Sequence, residues 1–285
     1  MRRLELNKLV DRVFTILAFV STVAGLAFLA VLIIDVVYDG GPRLSWQFLS
    51  NFPSRMAEKA GILSALVGTI WIMGLTALFA VPLGIGAGIY LEEYGKKNPM
   101  TRLIEINIAN LAGVPSIIYG LLGLGVFVRI MSFERSLLTG ALTLSLLVLP
   151  IIIIATRESL RAIPYSIKEA SYALGATQWQ TIYRQTLPAA MPGILTGVIL
   201  ALSRAIGETA PLITIGALTY IAFLPHSVFD PFTVLPIQIF NWVSRPQEAF
   251  AINAAAGIIV LLILTLMLNS IAIYLRHKYQ RRIKW

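Results

Sequence analysis

The chain has 285 residues, 57% hydrophobic and only 13% charged, and its 23 Lys and Arg against 14 Asp and Glu give a formal net charge of +9. A water-soluble domain of this length needs a mostly polar surface, and this composition has too little polar material to build one. Cysteine is absent, which removes disulfides, thiolate metal ligands and cysteine catalysis.

The apolar residues gather in six blocks, Val13–Val37, Gly61–Leu91, Leu103–Val128, Leu137–Thr156, Gly193–Ile221 and Phe250–Leu275. Each is near or beyond the roughly 20 helical residues that cross a hydrocarbon layer about 30 Å thick. Inside such a layer each backbone N–H and C=O must be paired within its own segment, so each block is expected to be a helix. The expected fold is all-α, a single polytopic membrane domain over residues 1–285 with six transmembrane helices. The first block is too long for a cleaved leader and is read as a span.

Basic residues set the expected orientation. With the N-terminus inside, the inner segments carry Arg2, Arg3, Lys8 and Arg12, then Lys96, Lys97 and Arg102, then Arg157, Arg161, Lys168 and Arg184, and finally Arg276, Lys278, Arg281, Arg282 and Lys284. The outer loops hold only Arg43, Arg55, Lys59, Arg129, Arg135 and Arg245. This asymmetry predicts both termini in the cytoplasm, and the basic tail also suits anionic lipid headgroups. The charge excess is thereby explained by membrane lipid, without nucleic acid. His226 and His277 fall on opposite sides in this topology and cannot share a metal.

In chain order, the outer loop 38–60 opens on a Gly40–Gly41–Pro42 turn and carries Trp46, Phe48 and Phe52. These are read as interfacial aromatics or a short surface helix, with a docking role for an external partner as the alternative. The second block is rich in glycine and other small residues, which let helices approach closely in lipid, and Pro82 is expected to bend it. The third has Gly113-Val-Pro115-Ser116 at its middle. A break at that depth is tolerated only against protein or a water-filled cavity, so Pro115 and Ser116 mark either a pathway or a packing kink. The sixth block shows no distinguishing motif, and a second outer loop spans 223–249.

Between the fourth and fifth blocks, residues 160–190 are polar. Pro164 suits a helix start, Tyr165–Leu174 reads as a short helix that Gly175 ends, and Thr177 with Gln180 forms a capping box for a second helix reaching about Gln185. Ile167, Ala170 and Leu174 share one face, and Trp179, Ile182 and Tyr183 cluster on the second helix. Helices this short are marginal alone, so they need a partner surface or their own bundle. Glu169-Ala170, Gly175, Ile182 and Leu187-Pro188 resemble the loop shared by bacterial ABC importer permeases, with Ser171 standing where the short consensus has Ala. The resemblance implies the type I, MetI-like permease fold. It also implies that Glu169, Ala170, Leu174, Gly175, Trp179 and Ile182 couple to a separate ATP-binding subunit.

The fifth block contains Ser203-Arg204-Ala-Ile-Gly207-Glu208-Thr209-Ala210-Pro211. Counted from Gly193 at about 1.5 Å per residue, Arg204 lies roughly 17 Å along the helix, near mid-membrane. A charge there costs at least a few kcal/mol and usually faces a bundle interior or a pathway. Glu208, four residues on, shares its helix face. The pair either offers a multi-donor guanidinium to a passing anion or is a structural ion pair between helices or subunits. Ser203, Thr209 and the break at Pro211 complete the candidate pathway. The motif, with Val114–Gly120, resembles phosphate-importer permeases of the ABC class. That likeness implies a sister permease, a homodimeric ATPase holding ATP and Mg, and an extracytoplasmic phosphate-binding protein, in a prokaryotic inner membrane. The chain itself has no phosphate-binding P-loop and is expected to bind no cofactor. Sulfate, molybdate or phosphonate remain alternative cargoes, and an ion-gradient-coupled anion carrier is the rival mechanism.

Overall fold

The computed structural model describes residues 2–95, 98–218 and 220–280. Lys96, Lys97, Arg281, Arg282 and Lys284, part of the basic asymmetry, lie outside the described residues. The long apolar runs become long helices, as backbone pairing in lipid demands. Helix α1 spans Arg2–Gly40, and after a turn at Gly41–Arg43 comes α2, Trp46–Ser50, capped by Ser45, whose hydroxyl accepts from the Phe48 N–H. Helix α3, Leu63–Ile89, keeps Pro82 in its interior and winds on as a π turn, Tyr90–Tyr94. Helix α4, Pro99–Ala112, is followed by α5, Ser116–Gly123, which continues as a second π turn, Leu124–Ile130. Then come α6, Leu137–Arg161, and the short α7, Tyr165–Ala173, and α8, Gln178–Thr181. A third π turn, Ile182–Thr186, leads into α9, Leu187–Ile206. The last described elements are α10, Ala210–Ile215, α11, Leu235–Val243, and α12, Glu248–Gln280.

Among the described residues, five helical stretches are long and apolar enough to cross a membrane, and α4 with α5 makes a sixth if the pair is one span. That sixth is bent by 104° at Gly113–Pro115. The sequence signals its cause, since proline lacks the donor that would continue the ladder and crowds the turn before it. The fifth block also departs from expectation at both ends. Its helix runs without interruption from Gln178, through Pro188, to Ile206, and breaks at Gly207–Thr209 before α10.

Helix α6 is the central post, with two thirds (67%) of its apolar window buried against 0% for α1. It packs along α3 and α9, and α12 lies against α9, α11 and α1. Since lipid is as apolar as leucine, contact between these helices relies on close fit and on polar links. Ser145 donates to the Thr76 carbonyl at 3.3 Å, and Thr76 donates to the Ala141 carbonyl at 3.4 Å. The segment 232–242 also enters this core, where Phe232, Leu235, Ile237 and Trp242 are all buried. Leu235 N–H donates to Thr69 Oγ1 of α3 at 2.9 Å. Much of the stretch 223–249 is therefore interior rather than free loop.

Candidate functional site

Residues 160–190 form a helix pair held at one end of the bundle. Pro164 sits at the N-cap of α7 with extended backbone (ψ 135°). Past the other end, Gly175 has φ +81°, a left-handed conformation that costs a residue with a Cβ about 1 kcal/mol. Thr177 then caps α8 reciprocally. Its hydroxyl accepts from Gln180 N–H at 3.3 Å while Gln180 Oε1 accepts from Thr177 N–H at 2.9 Å. The Ser171 and Thr181 hydroxyls, 2.9 Å apart, fasten the two helices together.

The outward face of this pair is uncovered. Leu174 is 90% exposed, Trp179 62% and Tyr183 61%, and the two aromatic rings stack with centroids 5.9 Å apart. Glu169 and Ala170 are exposed as well. An open groove between the helices is bordered by Ile167, Ala170, Leu174, Gln180 and Arg184. Ile182 belongs elsewhere: it is 1% exposed and faces the bundle, while Trp179 and Tyr183 stack on the outer side. Successive helical residues point about 100° apart, so Ile182 falls to the side of the face that Tyr183 and Trp179 share.

The inward face is held by charges. The adjacent Glu92 and Glu93, in the π turn after α3, diverge to different partners. Glu92 accepts from Arg161 Nε at 2.9 and 3.0 Å and lies 3.5 Å from Arg157 Nε. Glu93, with its side chain 5% exposed, binds Lys168 Nζ of α7 at 2.7 Å. Its carbonyl accepts from Gln178 Nε2 of α8 at 2.6 Å. Arg157, itself buried, reaches Glu105 of α4 at 2.6 Å. None of these acids was singled out in the sequence, although two adjacent carboxylates closing an apolar run were a usable signal.

The two broken spans meet in the middle. Helix α5 packs on α10, and a Cβ added at Gly120 would lie 2.7 Å from Pro211 Cα, so only glycine permits this approach. Tyr119 Oη donates across the Pro115 break to the Leu111 carbonyl at 2.8 Å, satisfying a group that the helix leaves unpaired. Ser116 opens α5, and Pro211, buried, lies in the first turn of α10. Pro82, by contrast, lies on an exposed side of unbroken α3.

Arg204 occupies the last turn of α9, and Glu208 lies beyond the helix end in a turn closed by Gly207 N–H to Arg204 carbonyl, 3.2 Å. They still meet, Nε to Oε1 at 3.2 Å, through that turn and not along a helix face. The arginine is the more open, 43% against 17% for the glutamate side chain. Its Nη1 and Nη2 have no hydrogen-bond partner among the described residues, which leaves a planar multi-donor edge for an oxyanion. Thr209 stands at the N-cap of α10, next to the pair. Ser203 turns aside, donating to the Ile199 carbonyl at 2.7 Å and meeting the Asn269 side chain of α12 in a short contact. Asn269 and Asn253 were passed over in a block that reads as uniformly apolar.

At the opposite end, Asn253 and Arg43 order the loop 38–60. Arg43 Nε donates to Asn253 Oδ1 at 2.8 Å and its Nη2 reaches the carbonyls of Ala57, Glu58 and Ala60. Phe48 is 0% exposed against Trp242, so it is a core residue and not an interfacial aromatic, whereas Trp46 is 81% exposed. Asp230 organises the other outer loop. Backbone N–H groups of His226 at 2.7 Å and Ser227 at 2.8 Å donate to its carboxylate and hold its pKa below the ordinary value of 3.8. The carbonyls of Asp230 and Val228 accept from Leu137 and Leu138, the first residues of α6.

Residues 80–285 match the family described as binding-protein-dependent transport system inner membrane component. A probable ABC transporter permease protein, YqgI, of Bacillus subtilis is 35% identical over 76% of this chain and 73% of its own length. The phosphate transport system permease protein PstA of Haemophilus influenzae is 34% identical over 92% of both chains. Among solved structures, an alginate-importing bacterial ABC transporter aligns over 99% of this chain and 100% of its own, with a TM-score of 0.68 at 19% identity. The MetNI methionine transporter in an inward-facing form aligns over 77% and 94%, with a TM-score of 0.59 at 19% identity. These two share the fold.

Proposed function

The chain belongs to the binding-protein-dependent transport system inner membrane components, a multi-pass membrane family, and from that premise we propose that it is one permease subunit of an ATP-driven importer of inorganic phosphate. The observation that carries the reading is the helix pair at residues 165–181, pinned to the bundle on one side and bare on the other, with Leu174 90% exposed. An exposed leucine beside stacked aromatics is the kind of surface another protein covers. An ATPase subunit seated on Glu169, Ala170, Leu174 and Trp179 binds the ATP and Mg, and this chain hydrolyses nothing.

Phosphate as cargo rests on the PstA relatives and on the free edge of Arg204. A guanidinium makes paired, charge-assisted bonds to phosphate oxygens, and Glu208 holds it ready and takes back its charge when the anion leaves. A sister permease closes the open side of that site, and a phosphate-binding protein docks at the Arg43 and Asp230 loops. Both termini and the helix pair face the cytoplasm. The conformational cycle is a shift between two packings, biased by ATP on one side and the loaded binding protein on the other.

The test is reconstitution of the chain with its sister permease, ATPase and binding protein in proteoliposomes. ATP-dependent uptake of labelled phosphate that exceeds sulfate uptake is expected. Uptake that persists without the ATPase and collapses with the proton gradient would overturn the proposal in favour of an ion-coupled carrier.

A further inference from the structure

Glu93 is a carboxylate nearly sealed from solvent at the end of α3, and it binds both short helices of the pair at once. Lys168 reaches its side chain from α7 at 2.7 Å, and Gln178 reaches its carbonyl from α8 at 2.6 Å. Next to it, Glu92 clasps the end of α6, and Arg157 carries the chain of contacts to Glu105 on α4. Consecutive side chains on a helix point about 100° apart, so the two adjacent acids reach different partners. Helix α4 ends at the Pro115 break, beyond which α5 packs on α10 beside Glu208. A buried charge pair resists separation strongly, because either partner left alone is an uncompensated charge.

We propose that Glu93 and Lys168 are positioning residues that make the helix pair and the α3–α4 elbow move as one body, so that displacement of the pair is delivered to the broken spans. The inference rests on the ATP-driven reading above. Without the side-chain clasp, α8 keeps its Gln178 bond to the Glu93 carbonyl and its continuity with α9, whereas α7 loses its ion pair to α3 and can swing without moving α4. A seat for the ATPase survives, because Glu93 faces inward while Leu174 and Trp179 face outward.

The reconstituted importer tests this with Glu93→Gln, Lys168→Gln and the exchanged pair Glu93→Lys with Lys168→Glu. For Glu93→Gln, uptake per ATP hydrolysed should fall about tenfold while the ATPase rate stays within about twofold, as loss of coupling between sites predicts. The exchanged pair should recover a substantial part of the ratio. Uptake and hydrolysis falling in parallel, or a ratio unchanged in Glu93→Gln, would overturn it. A second readout needs no cargo. The chain has no cysteine, so spin labels at Leu103→Cys and at Ser166→Cys, an exposed α7 position outside the ATPase seat, report the distance between α4 and α7. That distance should hold steady between nucleotide states in the parent and broaden in Glu93→Gln, and equal behaviour of the two defeats the idea. Failure of the parent to take up phosphate counts instead against the transport assignment.

Discussion

Arg204 shows how much one side chain depends on its terminal atoms. Its charge is held by Glu208 through Nε alone, leaving the planar edge open. Arg204→Lys keeps the charge but loses the fork geometry, and phosphate uptake should drop at least about tenfold with the complex still assembled. Transport at the parent rate would reduce the residue to a structural ion. Asp230 gives a pH-dependent counterpart. Its carboxyl pKa is depressed in the folded loop, so the stabilisation is complete above the ordinary value of 3.8 and is lost as pH falls through the lower folded value. Hydrogen exchange across residues 226–231 should therefore accelerate in acid below that value in the parent. In Asp230→Ala it should already be fast at neutral pH, and a variant indistinguishable from the parent at neutral pH contradicts the assigned role.

At the scale of elements, Gly175 isolates a purely conformational effect, since a Cβ there would meet nothing within 4 Å. Gly175→Ala must pay for φ +81° with roughly 1 kcal/mol, or about fivefold in the population of the docked-competent pair. ATPase capture by the purified permease should weaken by that factor, and Gly175→Asn should weaken it less. The Gly175 turn and the Thr177–Gln180 capping box were legible because caps and turn glycines act locally, whereas the second helix, expected to stop near Gln185, runs on into α9. What escaped is long-range or departs from a regular helix. Ile182 lies beside the Trp179–Tyr183 face and is covered by the bundle, which spacing alone does not show, and Arg204 was set inside a continuous helix that ends two residues later. Phe48 could not be paired with Trp242 from its spacing, since the two are distant in sequence and meet only when 232–242 folds inward.

For the whole molecule, the six apolar blocks correspond among the described residues to five long helices and one folded pair, so the all-α membrane architecture was readable from hydropathy and the break from Gly113 and Pro115, although its 104° angle was not. The proposed orientation places the Arg43 loop and the helix pair on opposite sides. With no native cysteine to interfere, Ser54→Cys should react with a membrane-impermeant maleimide added outside, and Tyr172→Cys only after the inner face is opened. Both labelling from one side would refute that orientation. Among the described residues, two of the long helices and the folded pair each carry a π turn, and the one at Ile182–Thr186 sits between the bare face of α8 and the post-side face of α9. Removing a single residue there would let the run relax to a regular spiral and swivel Trp179 by about 100° about the axis relative to everything downstream. The heading of the docking face is thus set by one surplus amino acid, a small dial by which related chains can re-aim the same socket without redesigning either half.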